Sequence, residues 1–295
     1  MRKVVTMKNI IYSITTLIII AIIFLFIHIT TKNPPPLVSG HILSRDGVQR
    51  FGGVVNKETV DKWQQLIRER KHDQMFRHVL DHRPLRELMD RVFSPEYELQ
   101  DYYWVIEKAG VHTCHRDNNG TFFNKERGQK HKSYTMLLYL EPMERAIGVI
   151  PGSHVSLDEG AWNFPESKLE EIACDSGDVV VFDANLIHVG TVLEKRDHLR
   201  VQLKITHRDD RNVLGYYENF HKVQQREPHM PLQIRKIQRD LSCMAPKISD
   251  WTQTENIRTA RGTSQGVDVG WKQRAFSTLF YGSPDFYDLK ESGGS

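Results

Sequence analysis

Four short runs, at residues 102–107, 134–141, 178–183 and 200–206, are rich in β-branched and aromatic side chains. Gly and Pro signals cut them apart: Gly110, Pro142, Gly148, Pro151-Gly152, Gly177 and Gly190. The last run, Arg200-Val-Gln-Leu-Lys-Ile-Thr206, alternates polar and apolar residues at every step, the period of a strand with one apolar face. Short strands between turns, after a helical beginning, predict an antiparallel sandwich or barrel with helices packed outside. In that beginning, residues 46–55 read as a strand punctuated by Gly. Asn56 then caps a predicted helix over 57–70, whose Val60, Trp63, Leu66 and Ile67 share one face. A second helix is predicted over 84–92. No internal repeat, P-loop or dinucleotide-binding glycine fingerprint occurs.

The N-terminus carries a different signal. No charged residue falls between Asn9 and Thr31, and residues 10–30 are long and apolar enough to cross a hydrocarbon core of about 30 Å as a helix. A cleaved signal peptide is the rival, but Ile29-Thr-Thr-Lys-Asn follows where a small-x-small cleavage site would be needed, which favours an uncleaved signal anchor. Arg2, Lys3 and Lys8 precede the span and only Lys32 follows closely, so the positive-inside bias keeps the N-terminus cytosolic and sends the body across. Asn33-Pro-Pro-Pro-Leu-Val-Ser-Gly40 then reads as a semi-rigid spacer, unfit for helix or internal strand.

Charge excludes one class of partner. Of 40 basic residues, the four flanking the apolar span account for the whole excess, leaving 36 basic against 37 acidic in the rest. Nucleic acid is therefore not an expected partner. Three cysteines exclude a four-thiolate metal site. Near the C-terminus, Leu232, Ile234, Ile237 and Leu241 predict an amphipathic helix whose Arg235, Lys236 and Arg239 form a solvated face.

Chemistry concentrates in His115-Arg-Asp117 and His188. In an extended segment, side chains i and i+2 project to the same side, so His115 and Asp117 can converge on one ion. His188 follows the strand at 178–183, from which it could supply a third ligand. Two imidazoles and a carboxylate on one face of a metal leave three positions open, a set suited to non-haem Fe(II). A surface loop with only local hydrogen bonds is the bland alternative for His-x-Asp. His112 and Cys114 point to the other side, the first structural and the second a small packing residue. Cys174 and Cys243 are the two that could pair if the body is lumenal. His154 reads as a turn residue.

The run Tyr134-Thr-Met-Leu-Leu-Tyr-Leu-Glu-Pro142, then Gly148-Val-Ile-Pro-Gly-Ser-His154, Gly177-Asp-Val-Val-Val-Phe-Asp-Ala-Asn-Leu-Ile-His188 and Arg200 resemble, in that order, the phytanoyl-CoA dioxygenase family. The resemblance runs from about Asp46 to Thr206. It implies a mainly β fold, a double-stranded β-helix (jelly roll) with flanking helices, and Fe(II)/2-oxoglutarate-dependent oxygenase activity. It also implies His115, Asp117 and His188 as iron ligands and Arg200 as the residue holding 2-oxoglutarate. Apart from the resemblance, Thr191 could add a hydroxyl to the same carboxylate. Family members that halogenate keep the carboxylate position small, so Asp117 implies hydroxylation. The sequence departs from the family in a long polar loop at 118–132 and in Val189-Gly190-Thr191 after the distal His.

The expected organisation is a tail at 1–9, a transmembrane signal anchor at 10–30, a Pro-rich linker at 31–43, an oxygenase core at 44–208, and a C-terminal extension at 209–295 packing on that core. The expected protein is single-pass, with its catalytic body lumenal or otherwise non-cytosolic. Its cofactors are Fe(II), 2-oxoglutarate and O2, with ascorbate as assay reductant. The substrate, a small molecule, lipid or protein, is not legible. A cupin-like dioxygenase without 2-oxoglutarate and a non-catalytic, membrane-tethered jelly-roll module are the competing readings.

Overall fold

In the computed structural model, the alternating run at 200–206 lies inside an eleven-residue strand, Asp197–His207, at the centre of the larger of two sheets. The structure describes residues 12, 14–17, 19, 20, 23, 34–108, 111–117, 129–155, 169–192, 197–214, 218–225, 229–244, 271–286 and 290–291. The chain divides into two units, Met1–Pro34 and Pro35–Ser295. In the first, the described residues between 12 and 23 are helical and exposed. Among the described residues no helix is long and apolar enough to cross a membrane, so the expected anchor has no support there; most of residues 10–30 lie outside them.

The second unit is mainly β. Its strands are β1 (Val48–Phe51), β2 (Tyr97–Leu99), β3 (Tyr102–Lys108), β4 (Tyr134–Tyr139), β5 (Met143–Val149) and β6 (Glu170–Cys174). They continue with β7 (Val179–Asp183), β8 (His188–Gly190), β9 (Asp197–His207), β10 (Phe220–Gln224) and β11 (Lys290–Glu291). The main sheet runs β1-β7-β4-β9-β3-β10-β11, with β2 also paired to β9; the smaller sheet runs β6-β5-β8. All these pairs are antiparallel except β3 with β10.

The pleat decides what each face of the main sheet meets. Val201, Leu203 and Ile205 of β9, Tyr103 and Val105 of β3 and Val179 and Val181 of β7 join one core with the helices. Those helices are α2 (Lys57–Arg68), α3 (His72–Leu80) and α4 (Arg83–Val92), which follow a single-turn α1 (Leu43–Asp46). Asn56 caps α2 by accepting from the Thr59 N–H at 2.9 Å, and Val60, Trp63, Leu66 and Ile67 are its buried face. The opposite face of the main sheet packs Val48, Leu137, Tyr139, Val180 and Phe182 against Met143, Ile147, Val149 and Ile172 of the smaller sheet. Two facing sheets, with α2–α4 packed on the outer side of the larger, are consistent with the expected jelly roll. Gly177 turns the chain into β7 at φ 90°, where a Cβ would lie 2.1 Å from the Val55 carbonyl oxygen, so only glycine fits.

Four local expectations are corrected. The spacer is not free: the Pro36 carbonyl accepts from Glu171 N–H and Val38 N–H donates to Glu171 O, laying the segment along the edge of β6. Proline lacks a donor but keeps its carbonyl, which is enough at a sheet edge. The main sheet does not end near residue 208, because β10 comes from the C-terminal extension and lies parallel to β3. The C-terminal helix α5 (Leu232–Met244) is turned the other way round: Arg235, Gln238, Arg239 and Ser242 are buried, while Ile234 and Leu241 are exposed. The surface that receives it is polar: Arg239, paired within the helix to Asp240 at 2.8 Å, reaches Glu171 at 3.5 Å, and Gln238 meets His112. Lastly, Cys243 of α5 forms a disulfide with Cys114, their Cα atoms 4.9 Å apart, and Cys174 is the free, buried thiol. The last helix, α6 (Trp271–Tyr281), follows.

Candidate metal centre

The smaller sheet carries both histidines. His188 opens β8, and His115 pairs with it as an isolated antiparallel bridge, each N–H donating to the other's carbonyl at 3.0 Å. The Pro-Gly-Ser-His turn sets the height of β8: Ser153 Oγ accepts from Ile187 N–H at 2.9 Å, and Ile150 N–H donates to Ile187 O at 3.0 Å. His154 is buried in that turn with its ring directly over Gly47, away from the centre, as a turn residue would be. In Gly-Asp-x-x-x-Phe, Asp178 accepts from Gly53 N–H and Arg50, and Phe182 packs its ring 4.4 Å from that of His188.

His115, Asp117 and His188 converge, all buried, their ligand atoms within 4.8 Å of one another. Nε2 of His115 lies 3.8 Å and Nε2 of His188 3.7 Å from Asp117 Oδ1. Each imidazole Nδ1 sits at a backbone carbonyl, Thr113 O at 2.8 Å and Leu186 O at 3.0 Å. Donation there places the ring proton on Nδ1 and leaves each Nε2 lone pair aimed inward. Burial alone would raise the Asp117 carboxyl, but Lys204 and the two imidazoles prevail and hold it well below the usual range. Burial pushes His188 down, toward the neutral form a metal requires, against the pull of Asp117. Two nitrogens and one carboxylate oxygen, in ligand-ready protonation states, fit a divalent metal with open positions.

A second group, His131, His207 and Asp209, also brings three donors together. It is differently used: the rings stack at 3.5 Å, His207 Nδ1 already accepts from Asp209 N–H, and Asp209 is mostly exposed.

The pocket beside the triad is lined by Trp104, Ile106, Val111, Leu137, Ala146, Ile147, Phe182, Gly190, Arg200, Gln202 and Gln224. Arg200, Gln202 and Lys204 face this side of the sheet, as the alternation predicts. Arg200 is buried and spends one N–H on His198 O at 3.1 Å; burial lowers its pKa, opposed by neighbouring Tyr139. Tyr139 stands opposite Arg200 in register, and its buried hydroxyl has no partner among the described residues. Thr191 is not on the pocket wall, since its hydroxyl donates to Arg145 O. Lys204 passes behind the triad to Asp117. Most of the polar loop at 118–132 lies outside the described residues.

Sequence reasoning missed Tyr139, the contact of Lys204 with Asp117 and the role of the C-terminal extension. Three successive residues before His115 are bound to that extension. His112 meets Gln238 at 2.9 Å, the Thr113 hydroxyl meets Tyr281 at 2.8 Å, and Cys114 N–H donates to Ser242 Oγ at 2.8 Å beside its disulfide. Only the alternation at 200–206 hinted at any of this, by placing Lys204 on the inward face.

Many solved structures resemble the chain loosely, among them these three. HygX from Streptomyces hygroscopicus, with nickel and 2-oxoglutarate bound, is 15% identical, with 63% of this chain and 87% of that one covered at a TM-score of 0.44. The non-haem α-ketoglutarate-dependent epimerase SnoN from nogalamycin biosynthesis is 16% identical over 56% and 80%, at 0.43. EvdO2 from Micromonospora carbonacea var. aurantiaca is 12% identical over 58% and 94%, at 0.42. No curated protein matches the sequence. The family model described as phytanoyl-CoA dioxygenase (PhyH) matches residues 31–191, more than half of the chain and inclusive of all three converging residues. The chain belongs to the phytanoyl-CoA dioxygenase family.

Proposed function

We propose that this protein is an Fe(II)- and 2-oxoglutarate-dependent oxygenase that hydroxylates its substrate with release of succinate and CO2. The observation that carries the reading is the convergence of two Nε2 atoms and one carboxylate oxygen beside a pocket walled by a buried arginine. When bound, Fe(II) with 2-oxoglutarate and O2 supplies the oxidising power.

The residues have separable tasks. His115, Asp117 and His188 would hold the metal. The guanidinium of Arg200, which needs a charged partner where it is buried, would hold the distal carboxylate of 2-oxoglutarate, for which its planar fork is suited. The Tyr139 hydroxyl, opposite Arg200 in register and without a partner among the described residues, is offered as a second donor. Ile106, Leu137, Ile147 and Phe182 add hydrocarbon to the wall and help keep water from the reacting centre.

The body belongs, on this reading, on the non-cytosolic side of a membrane, tethered through residues 10–30. The charge asymmetry around that segment supports it, and so does the Cys114–Cys243 disulfide, a bond that persists in oxidising compartments. Protease protection of sealed microsomes tests the topology: a body shielded from outside is expected, and its digestion contradicts the orientation.

Substrate-independent turnover tests the chemistry. Purified protein given Fe(II), ascorbate and 2-oxoglutarate is expected to form succinate and CO2 slowly, and His115→Ala or His188→Ala to form none. Equal succinate from the variants overturns the assignment.

A further inference from the structure

Gln224, on β10, is 2% exposed and lines the pocket, yet neither its amide nitrogen nor its amide oxygen has a hydrogen-bond partner among the described residues. The indole Nε1 of Trp104, on the adjacent β3, is in the same condition on the same wall. Strand register puts Gln224 opposite Ile106 and Lys222 opposite Trp104, so Gln224 and Trp104 are diagonal neighbours on one face. Arg200 is opposite Ile106 from the other side. The glutamine therefore stands two strand spacings, ~10 Å, from the arginine strand and addresses a different part of the pocket.

A buried amide without partners is unfavourable in the free protein, and a native fold keeps one chiefly where something else completes it. Hydrocarbon satisfies neither end of the amide. A carboxylate accepts from the glutamine N–H and the indole N–H but has no proton for the glutamine oxygen. A neutral group with a donor and an acceptor side by side satisfies all three atoms.

We infer that Gln224 and Trp104 are the specificity-determining residues of this pocket, and that the substrate presents to them an adjacent donor and acceptor, as a carboxamide or a vicinal diol does. The inference rests on the oxygenase reading and narrows its substrate to one bearing such a group beside the oxidised carbon. It also gives the C-terminal extension a part in recognition, since Gln224 lies beyond the family match at residues 31–191.

The test uses the full chain, loaded anaerobically with Mn(II) in place of Fe(II) and titrated first with 2-oxoglutarate. Three probe sets follow: N-acetylglycinamide for carboxamides, methyl glucoside for vicinal diols, and octanoate with octanoyl-CoA as controls. Binding is read from calorimetric affinity and thermal midpoint. One of the first two sets is expected to bind, which identifies the source of the paired donor and acceptor. Gln224→Leu and Trp104→Phe should each weaken that binding at least tenfold and leave 2-oxoglutarate affinity unchanged. The inference is overturned if neither set binds, if only the octanoyl probes bind, if binding survives both substitutions, or if the substitutions weaken 2-oxoglutarate instead. A wild type that binds Mn(II) but not 2-oxoglutarate contradicts the oxygenase reading alone, and the probe titration on the metal-loaded chain still decides this one.

Discussion

Lys204 places its ammonium 2.6 Å from Oδ2 of Asp117, and the Thr135 hydroxyl donates to the same oxygen. The carboxylate is thereby held from the main sheet by one oxygen and offers only Oδ1 to the two imidazoles on the smaller sheet. Lys204 is deeply buried, at 2% exposure, so the pair is a structural joint as well as part of the centre.

Stability should therefore separate the three converging residues. Asp117→Ala strands a buried ammonium, at a cost of about 3–5 kcal/mol, whereas His115→Ala leaves no charge behind. The double variant Asp117→Ala/Lys204→Met should recover most of that stability and none of the metal binding. Urea denaturation of the metal-free variants checks both statements. A double variant no more stable than Asp117→Ala would mean that the pair is not what Asp117 contributes to the fold.

The disulfide should matter to the metal. Cys243→Ser removes the covalent tie one residue before His115 and should lower stability by about 2–5 kcal/mol. It should also weaken metal binding by roughly 10–100-fold, the usual effect of losing a group that orients a ligand. Mn(II) titration by calorimetry, on wild type and variant at a temperature where both are folded, reads the second effect. Equal affinities would show that Gln238, Ser242 and Tyr281 hold the segment without the bond.

Acid should loosen the same junction. Burial pushes His112 from its ordinary value down to about 4. Below the ordinary value near 6.5 the unfolded chain takes up a proton that the folded chain refuses, so stability falls as pH drops through that window and stops falling near 4. The loss attached to this residue is on the order of 3 kcal/mol, and His112→Gln should remove it. Denaturation midpoints at pH 7.5 and 5 give the difference; an unchanged pH slope in His112→Gln would contradict the attribution.

The parts of this molecule that are periodic or contiguous could be read before any coordinates. The strict alternation at 200–206 sorts Val201, Leu203 and Ile205 from Arg200, Gln202 and Lys204, and the structure uses both faces accordingly. His115 and Asp117 are two residues apart on an extended segment, which is why their convergence was legible. What escaped depends on distant partners. The α5 helix shows an apolar stripe in sequence, yet buries Arg239 because Glu171 waits on the smaller sheet. Cys114 looks like packing until α5 brings Cys243 to it. The 72–80 helix has no such excuse: its His72, Met75, Phe76 and Val79 form a helical face that the flanking charges obscured.

Cosubstrate affinity should distinguish the basic and polar residues around the pocket. Arg200→Ala should weaken 2-oxoglutarate by about 2–5 kcal/mol, the loss of a buried charge-assisted pair, with metal affinity retained. Arg200→Lys should recover little, because an ammonium cannot supply the planar fork. Tyr139→Phe should cost about 1 kcal/mol, the net worth of one hydrogen bond. Thr191→Val should leave affinity unchanged, since that hydroxyl is spent on Arg145 O. Titrations of the four metal-loaded variants under anaerobic conditions give all four values, and a large effect of Thr191→Val with none from Arg200→Ala would reverse the assignment.

The most direct measurement is the visible spectrum of the anaerobic protein as Fe(II) and then 2-oxoglutarate are added. A metal-to-ligand charge-transfer band, saturating at one equivalent of iron and requiring both additions, is the predicted result for the wild type, with no band in His188→Ala or in the folded Asp117→Ala/Lys204→Met variant. A wild type that binds iron without developing the band, or a band that persists when His188 is gone, would contradict the placement of 2-oxoglutarate on iron held by His115, Asp117 and His188.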